Sequence, residues 1–391
     1  MPCSEEHHFY IEGQVVCENS EGVKYLSYQP SGGGWNNQRV VLENAVVLAK
    51  MLNRTLIVQP LAPHQELLRN NVGDYENYNL ISTDNLLPLS RVIDLKHLSK
   101  LIPVKEFTSS HEEFQNTYNH LRWARVCHNP VVGLWVDVVP KKNETEKWKL
   151  IDQKMKKSLP SYQDIPFYRR ICKDEFKKFE TDGFRPVWGI MNDLPQKNEE
   201  LVYFSEGSLR NHRLLFFDKK TVVEAHEWIM RFIHFSPEIQ KRALAVLEKI
   251  QHPFNAIHVR RTDHPSSFQI TQENWLRRLN LKKAQKLTKT LYIATDEENK
   301  AWFNPFKEAG YNLFFAEDFG DQLQFKNLNS AFVQDMLGLC EQLICAHADI
   351  FVGSHYSTFS MFIERFRKQF TWQKGMLLRK PYATIGWFES S

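Results

Sequence analysis

The chain carries little net charge for its size: 50 Lys and Arg against 46 Asp and Glu leave +4 over 391 residues. With no long basic arm, nothing marks it as a general nucleic-acid binder. It has 6 cysteines, Cys3, Cys17, Cys127, Cys172, Cys340 and Cys345, and no Cys-x-x-Cys pair, so the usual signature of a structural zinc site is missing. Their scatter permits disulfides without specifying any. Cys340 and Cys345 lie in a helical-looking run and fit buried, small apolar positions. No apolar run approaches the ~20 residues that span a bilayer, and Met1 to His8 lacks the apolar heart of a signal peptide. Either the chain is cytosolic, or a leader or anchor lies outside it. Low-complexity linkers and internal repeats are also lacking.

Hydrophobic residues make up 42% of the chain and aromatics 13%, including 27 Phe and 10 Trp, which argues for folded cores rather than disorder. Domains of ~100–200 residues make two the natural division. Lys24 to Tyr28 reads as a strand, Gly32 to Gly34 as a glycine loop, Asn36 to Leu52 as a helix and Thr55 to Val58 as a buried strand ended by Pro60. That order is a βαβ unit with a parallel sheet. Further on, Arg91 to Asp94 predicts a short strand, Val131 to Val139 a strand pair or lid, and Lys141 to Ser158 a solvated excursion. Ser236 and Pro237 open a helix to Ile250. The strands Ala256–Val259, Leu291–Ala294, Leu313–Phe315 and Ile350–Val352 then alternate with helices such as Phe332–Ala346 and Thr358–Arg367. The pattern predicts an α/β protein of two doubly wound, Rossmann-like domains, 1–230 and 231–391, facing each other across a cleft. Sequons stand at Asn53 and Asn143. The first lies against a predicted strand, and the second, in a polar stretch, is the better placed for a glycan.

Ligands of open parallel sheets bind where strands end and loops lead into helices, and the unusual residues fall there. His258-Val259-Arg260-Arg261-Thr262-Asp263 follows a short apolar strand. Two arginines there match a diphosphate, whose oxygens a guanidinium grips in a fork and whose growing charge it offsets as a leaving group departs. The bland alternative, an Arg–Asp structural pair, has about equal weight for this segment alone. Gly353 to Ser360 opens a helix, and Ser357 and Thr358 would point hydroxyls at an anion, though an ordinary N-cap explains them as well. Gly32-Gly33-Gly34-Trp35-Asn36-Asn37-Gln38 permits close backbone approach, but Trp35 breaks any Gly-x-Gly-x-x-Gly pattern. Asp296 and Glu297 end a strand and would by default cap the next helix. Glu341 could accept two hydrogen bonds from guanine, against the default of an exposed helical acid. No Asp-x-Asp pair occurs, which argues against a manganese-dependent transferase.

Together these segments resemble the fucosyltransferase superfamily of protein O-fucosyltransferases and α1,6-fucosyltransferases. His258 to Asp263 is similar to its HxRRxD-type signature, Leu291 to Asp296 to its second motif, and Ala348 to Gly353 with Ser357 to Ser360 to its third. Gly33 to Pro60 resembles the O-fucosyltransferase start. The resemblance implies a GT-B fold and an inverting transfer from GDP-fucose with no metal or other cofactor. Arg260 would hold the diphosphate, supported by Arg261 and Asp263. Gly33, Gly34, Trp35, Asp296, Ser357, Thr358 and Phe359 would line the donor, and His258 and Glu341 would meet the nucleoside. Asn37, with Gln38, would face donor and acceptor, and Asn37 joins Arg260 as a catalytic candidate. The expected acceptor is a protein Ser/Thr hydroxyl. A glycan hydroxyl and a non-catalytic GDP-sugar-binding homologue are the alternatives. Such a role implies the lumen of the ER or Golgi, with the cytoplasm as the other placement. The glycine loop holds no carboxylate, so the general base stays unassigned, with Glu43 and Asp263 as candidates.

Overall fold

In a computed structural model the chain divides into two compact units, 1–236 and 237–391. The structure describes residues 9–16, 22–30, 34–61, 86–129, 133–138, 184–186, 199–204, 209, 219–261, 270–281, 288–354, 357–372 and 383–385. Gly33, Asp263, Asn143 and the lysine-rich stretch 141–158 lie outside the described residues.

The first unit is built on one mixed sheet. Its strands are β1 (Phe9–Ile11), β2 (Gln14–Val16), β3 (Tyr25–Tyr28), β4 (Thr55–Val58), β5 (Val104–Glu106), β6 (Trp123–Asn129), β7 (Gly133–Val138), β8 (Phe184–Pro186) and β9 (Leu201–Phe204), in the order β2-β1-β5-β4-β3-β9-β6-β7-β8. The centre, β5-β4-β3-β9-β6, is parallel. Antiparallel β1–β2 closes one edge and β7–β8 the other. β3, β4, β5 and β9 are buried along their length, and in β4 burial on both faces leaves a near-continuous apolar run. Between β3 and β4 runs α1 (Trp35–Met51), whose Val40 to Ala49 stretch is buried throughout. Burial on every side extends to Arg39 and Glu43, which pair at 2.9 Å, while Arg39 also donates to the Ile233 carbonyl. Packed against the sheet, Phe107, Phe114, Tyr118 and Tyr203 form an aromatic cluster with Phe9 and Tyr25.

One expected strand is absent. Leu89–Arg91 forms a 3-10 turn, and only Ile93 makes an isolated bridge, to Phe235. Pro88 sets the entry to that turn, and Asp94 accepts from the His97 amide to cap the next turn, so two helical signals outweigh a short apolar run. Ser236 and Pro237 do open a helix, Pro237–Leu247, and the Ser236 hydroxyl also donates to the Arg91 carbonyl.

The second unit holds a fully parallel sheet, β12-β11-β10-β13-β14, of β10 (Asn255–Val259), β11 (Thr290–Thr295), β12 (Asn312–Phe314), β13 (Ile350–Val352) and β14 (Ala383–Ile385). On one face Ile257, Val259, Leu291, Ile293, Ile350 and Val352 pack against Trp275 and Leu279 of the helix Gln272–Leu281. The helix Ser330–His347 contributes Met336, Leu339, Cys340, Ile344 and Cys345 to the core. Cys340 and Cys345 are free and buried. Among the described residues no helix is long and apolar enough to cross a membrane.

Candidate functional site

The parallel sheet of the second unit reverses its direction of growth beside β10. From β10 the chain adds β11 and β12 on one side, then crosses over to place β13 and β14 on the other. At such a switch point the loops leaving two neighbouring strands turn opposite ways and open a crevice at the carboxyl ends. His258, Arg260 and Arg261 leave β10 there, and Gly353 and Ser354 leave β13.

Three side chains close around that point. Ser360 Oγ lies 2.7 Å from His258 Nδ1 and accepts the Ser354 amide at 2.9 Å. Ser354 Oγ donates to the His258 carbonyl at 2.8 Å and accepts the Arg260 amide at 3.0 Å. The His258 ring stacks on Phe359 with centroids 4.4 Å apart. A Cβ on Gly353 would sit 2.7 Å from Ser360 Cβ and Oγ, so glycine is required for the two chains to approach this closely. At Gly338 the fit is tight but less strict: a Cβ would meet the Phe359 ring at 3.2 Å, so the ring would have to give by a few tenths of an ångström. Ser357 is buried, and its hydroxyl has no hydrogen-bond partner among the described residues. It stands immediately before the helix Thr358–Trp372, where amide dipoles favour an anion.

Arg260 and Arg261 are each anchored by their surroundings. Arg261 is tied into the protein: its amide donates to Asp296 Oδ1 at 2.6 Å, its Nη1 pairs with Glu297 at 2.8 Å, and its guanidinium lies over Trp302 at 4.3 Å. The structural-pair reading thus fits Arg261, with Glu297 as its partner among the described residues. Arg260 is half-buried, and its backbone amide is anchored on Ser354 Oγ. Asp296 does not cap the following turn, because Asn299 does so through the Ala301 amide. Asp296 instead fixes the loop after β10.

Glu341 departs from the exposed-acid default. It is buried on the helix Ser330–His347, and its Oε1 accepts from the Tyr292 hydroxyl of β11 at 3.2 Å. Burial pushes its carboxyl up to about 8, against a smaller opposing effect of the Tyr292 hydrogen bond. Tyr292 escaped the sequence reading because its apolar neighbours mark it as core. Only the register of β11 against β10 shows that it shares a face with Ala256 and lies near that acid. Among the described residues, no three His, Cys, Asp or Glu side chains converge as a metal-binding group.

In the first unit, Gly34 and Trp35 start α1 at the carboxyl end of β3. The helix begins without a side-chain cap and without an acidic residue in its first turn. Trp35 is 3% exposed, and its indole Nε1 has no hydrogen-bond partner among the described residues. Asn37 stands one turn in, half-buried, with its amide on the Gly34 carbonyl. Glu43 is engaged by Arg39 and buried, which weakens it as a general base.

An arginine at the switch point of a parallel sheet, beside a hydroxyl-led helix start, is an arrangement suited to holding an anion. Residues 25–370 match the family model for GDP-fucose protein O-fucosyltransferase, so the chain belongs to that family of fucosyltransferases. Among solved structures, it is similar to POFUT1 in complex with GDP-fucose, with 15% identity, a TM-score of 0.52 and coverage of 95% of this chain and 99% of that one. POFUT1 in complex with GDP gives 16% identity, a TM-score of 0.50 and coverage of 93% and 98%. The α-1,6-fucosyltransferase NodZ soaked with GDP-fucose aligns at 13% identity and a TM-score of 0.44 over 87% of this chain and 91% of that one. No curated protein sequence matches.

Proposed function

We propose that this protein transfers fucose from GDP-fucose to a Ser/Thr hydroxyl of a protein acceptor, with inversion and without a metal ion, and that its two units form a GT-B enzyme. The observation that carries the reading is Arg260, anchored through its backbone at the switch point of a family-matched sheet. The acceptor oxygen attacks the anomeric carbon as the bond to the β-phosphate oxygen breaks. The electron pair leaves with GDP, and the acceptor proton passes to solvent or a base. Arg260 offsets the charge that grows on the diphosphate, where a fixed cation acts most strongly on the transition state. Ser357 and the first amides of its helix would take phosphate oxygens, and His258 and Glu341 the nucleoside. Asn37 and the α1 start would face fucose and acceptor. Because Glu43 is already paired, the route fits a loose transition state in which leaving-group stabilisation dominates and the proton departs late.

A glycan acceptor is the second reading, favoured by the adjacent arginines Arg260 and Arg261 after His258-Val259, which are similar to the α1,6 branch. The test is GDP release from GDP-fucose in EDTA, with either folded Ser/Thr-bearing domains or N-glycans supplied as acceptor. The proposal expects turnover with a protein acceptor at undiminished rate in chelator. Turnover with glycans alone moves the acceptor to the second reading. Binding of GDP-fucose with no release under any condition makes the protein a non-catalytic binder.

A further inference from the structure

We propose that Ser354 is a positioning residue for Arg260, its hydroxyl standing in for the strand ladder where β10 and β13 part. The inference rests on the assignment of Arg260 to the donor diphosphate. In a parallel pair, alternate residues of a strand bond to the carbonyl and the amide that flank one residue of the neighbour. β10 and β13 are paired at Asn255↔Ile350, Ala256↔Phe351 and Ile257↔Val352. Beyond that register, β10 continues to pair with β11, as far as Val259↔Thr295. The Val259 carbonyl accordingly faces β11, where it accepts from Thr295 Oγ1 at 2.7 Å. The His258 carbonyl and the Arg260 amide, which flank Val259, face the β13 side. Ser354 Oγ meets both, donating to the first and accepting from the second.

One hydroxyl therefore supplies the two contacts that a paired strand residue would make with its backbone. The arrangement lets the strands diverge, which a crevice needs, without freeing the chain that carries Arg260. Ser354 is itself located from the other side. Only 4% exposed, it has its amide on Ser360 Oγ, which also meets His258 Nδ1. The loop His258–Ser360–Ser354–Arg260 thus links the start of the helix Thr358–Trp372 to the backbone of the arginine.

A double-mutant cycle on the full chain tests this, with GDP affinity read by calorimetry and thermal stability read in parallel. Ser354→Ala should weaken GDP binding about tenfold, the scale of a lost buried hydrogen bond. Ser354→Thr, which keeps the hydroxyl, should stay within about twofold. In an Arg260→Ala background, Ser354→Ala should add nothing, because the residue acts through the arginine. A merely structural serine lowers the melting temperature and gives an additive loss of affinity, and additivity overturns the proposal. So does wild-type affinity in Ser354→Ala. If Arg260→Ala alone leaves both GDP affinity and turnover intact, the diphosphate assignment fails first, and the two failures are told apart by that single variant. Should Ser354→Ala not fold, Ser354→Cys, with a weaker hydrogen-bonding group of similar shape, enters the same cycle with the same expected outcomes.

Discussion

The two ends of the parallel sheets carry different buried polar side chains. At the amino ends, buried arginines grip the protein's own carbonyls. Arg54, just before β4, directs Nη1 at the carbonyls of Tyr25 and Glu199. Arg367 does the same before β13, donating to the carbonyls of Ala346, Ala348 and Asp349. Burial pushes both guanidinium groups down to about 10, still charged at neutral pH. At the carboxyl ends the polar groups stand at helix starts, and two of them, Trp35 Nε1 and Ser357 Oγ, are buried with no hydrogen-bond partner among the described residues. A buried donor or hydroxyl left unmet costs stability. Arg54 Nε and Nη2 are also buried without a hydrogen-bond partner among the described residues, so an unmet polar atom alone does not tell the two ends apart; what the helix starts add is a set of amide dipoles that favours an anion.

The comparison breaks most visibly through two arginine substitutions. Arg260→Ala should lower kcat at least ~10²-fold while the melting temperature stays near wild type, because the loss falls on the transition state. Arg367→Ala should do the reverse. It leaves three carbonyls without their buried donor and should cost about 3–5 kcal/mol of stability, with kcat/KM per folded molecule unchanged. Denaturation curves and steady-state kinetics on both variants check this. A folded Arg260→Ala enzyme with normal turnover would remove the functional half of the contrast, and a stable Arg367→Ala would remove the structural half.

Much of this contrast was legible in the sequence, for a physical reason. Strands buried on both faces leave apolar runs, and β4 and β13 were read with their true bounds from Thr55–Val58 and Ile350–Val352. Helices with apolar faces were equally clear. What escaped reading depends on contacts between distant residues. Nothing local says that Glu297 answers Arg261, or that Ser354 reaches back 96 residues to the His258 carbonyl. The failed strand at Arg91–Asp94 has a different cause: helix signals from Pro88 and Asp94 overrode a short apolar pattern. β7 lies within Val131–Val139, which the pattern marks as a strand pair or lid, whereas β1, β2 and β8 are three-residue strands, too short for period and burial to give a signal.

Trp35 sharpens the carboxyl-end half of the comparison with a smaller effect. Trp35→Phe keeps a ring in the core and removes only the unmet indole N–H and part of the surface. Lost packing and the lost unmet donor oppose each other, so thermal stability should move little. If that N–H completes its bonding on donor or acceptor, kcat/KM should fall about tenfold. Ser357→Ala should behave alike, with its loss in GDP affinity. Unchanged kinetics in both variants would make the unmet groups a cost of folding with no ligand to meet them.

The smallest expected effect is a pH dependence at Glu341. In the free protein burial holds its carboxyl at about 8, so the acid carries its proton at neutral pH. Guanine presents two adjacent N–H donors, which a carboxylate satisfies and a protonated acid does not. Donor binding should then favour the ionised form and pull the group below its free-state value. The sign follows from linkage: a ligand that prefers the deprotonated acid binds more tightly as pH rises, until pH passes about 8, where the free protein is already ionised. GDP affinity should therefore climb several-fold, and less than about tenfold, for a one-unit rise in pH to that value. Calorimetry in buffers of different ionisation enthalpy should show a proton released on binding. Glu341→Gln should abolish that release and flatten the profile, since an amide has no proton to lose. Affinity that is flat with pH in the wild type, or equal for GDP, UDP and ADP, would return Glu341 to the scaffold, as a buried acid whose partner is Tyr292 and nothing else.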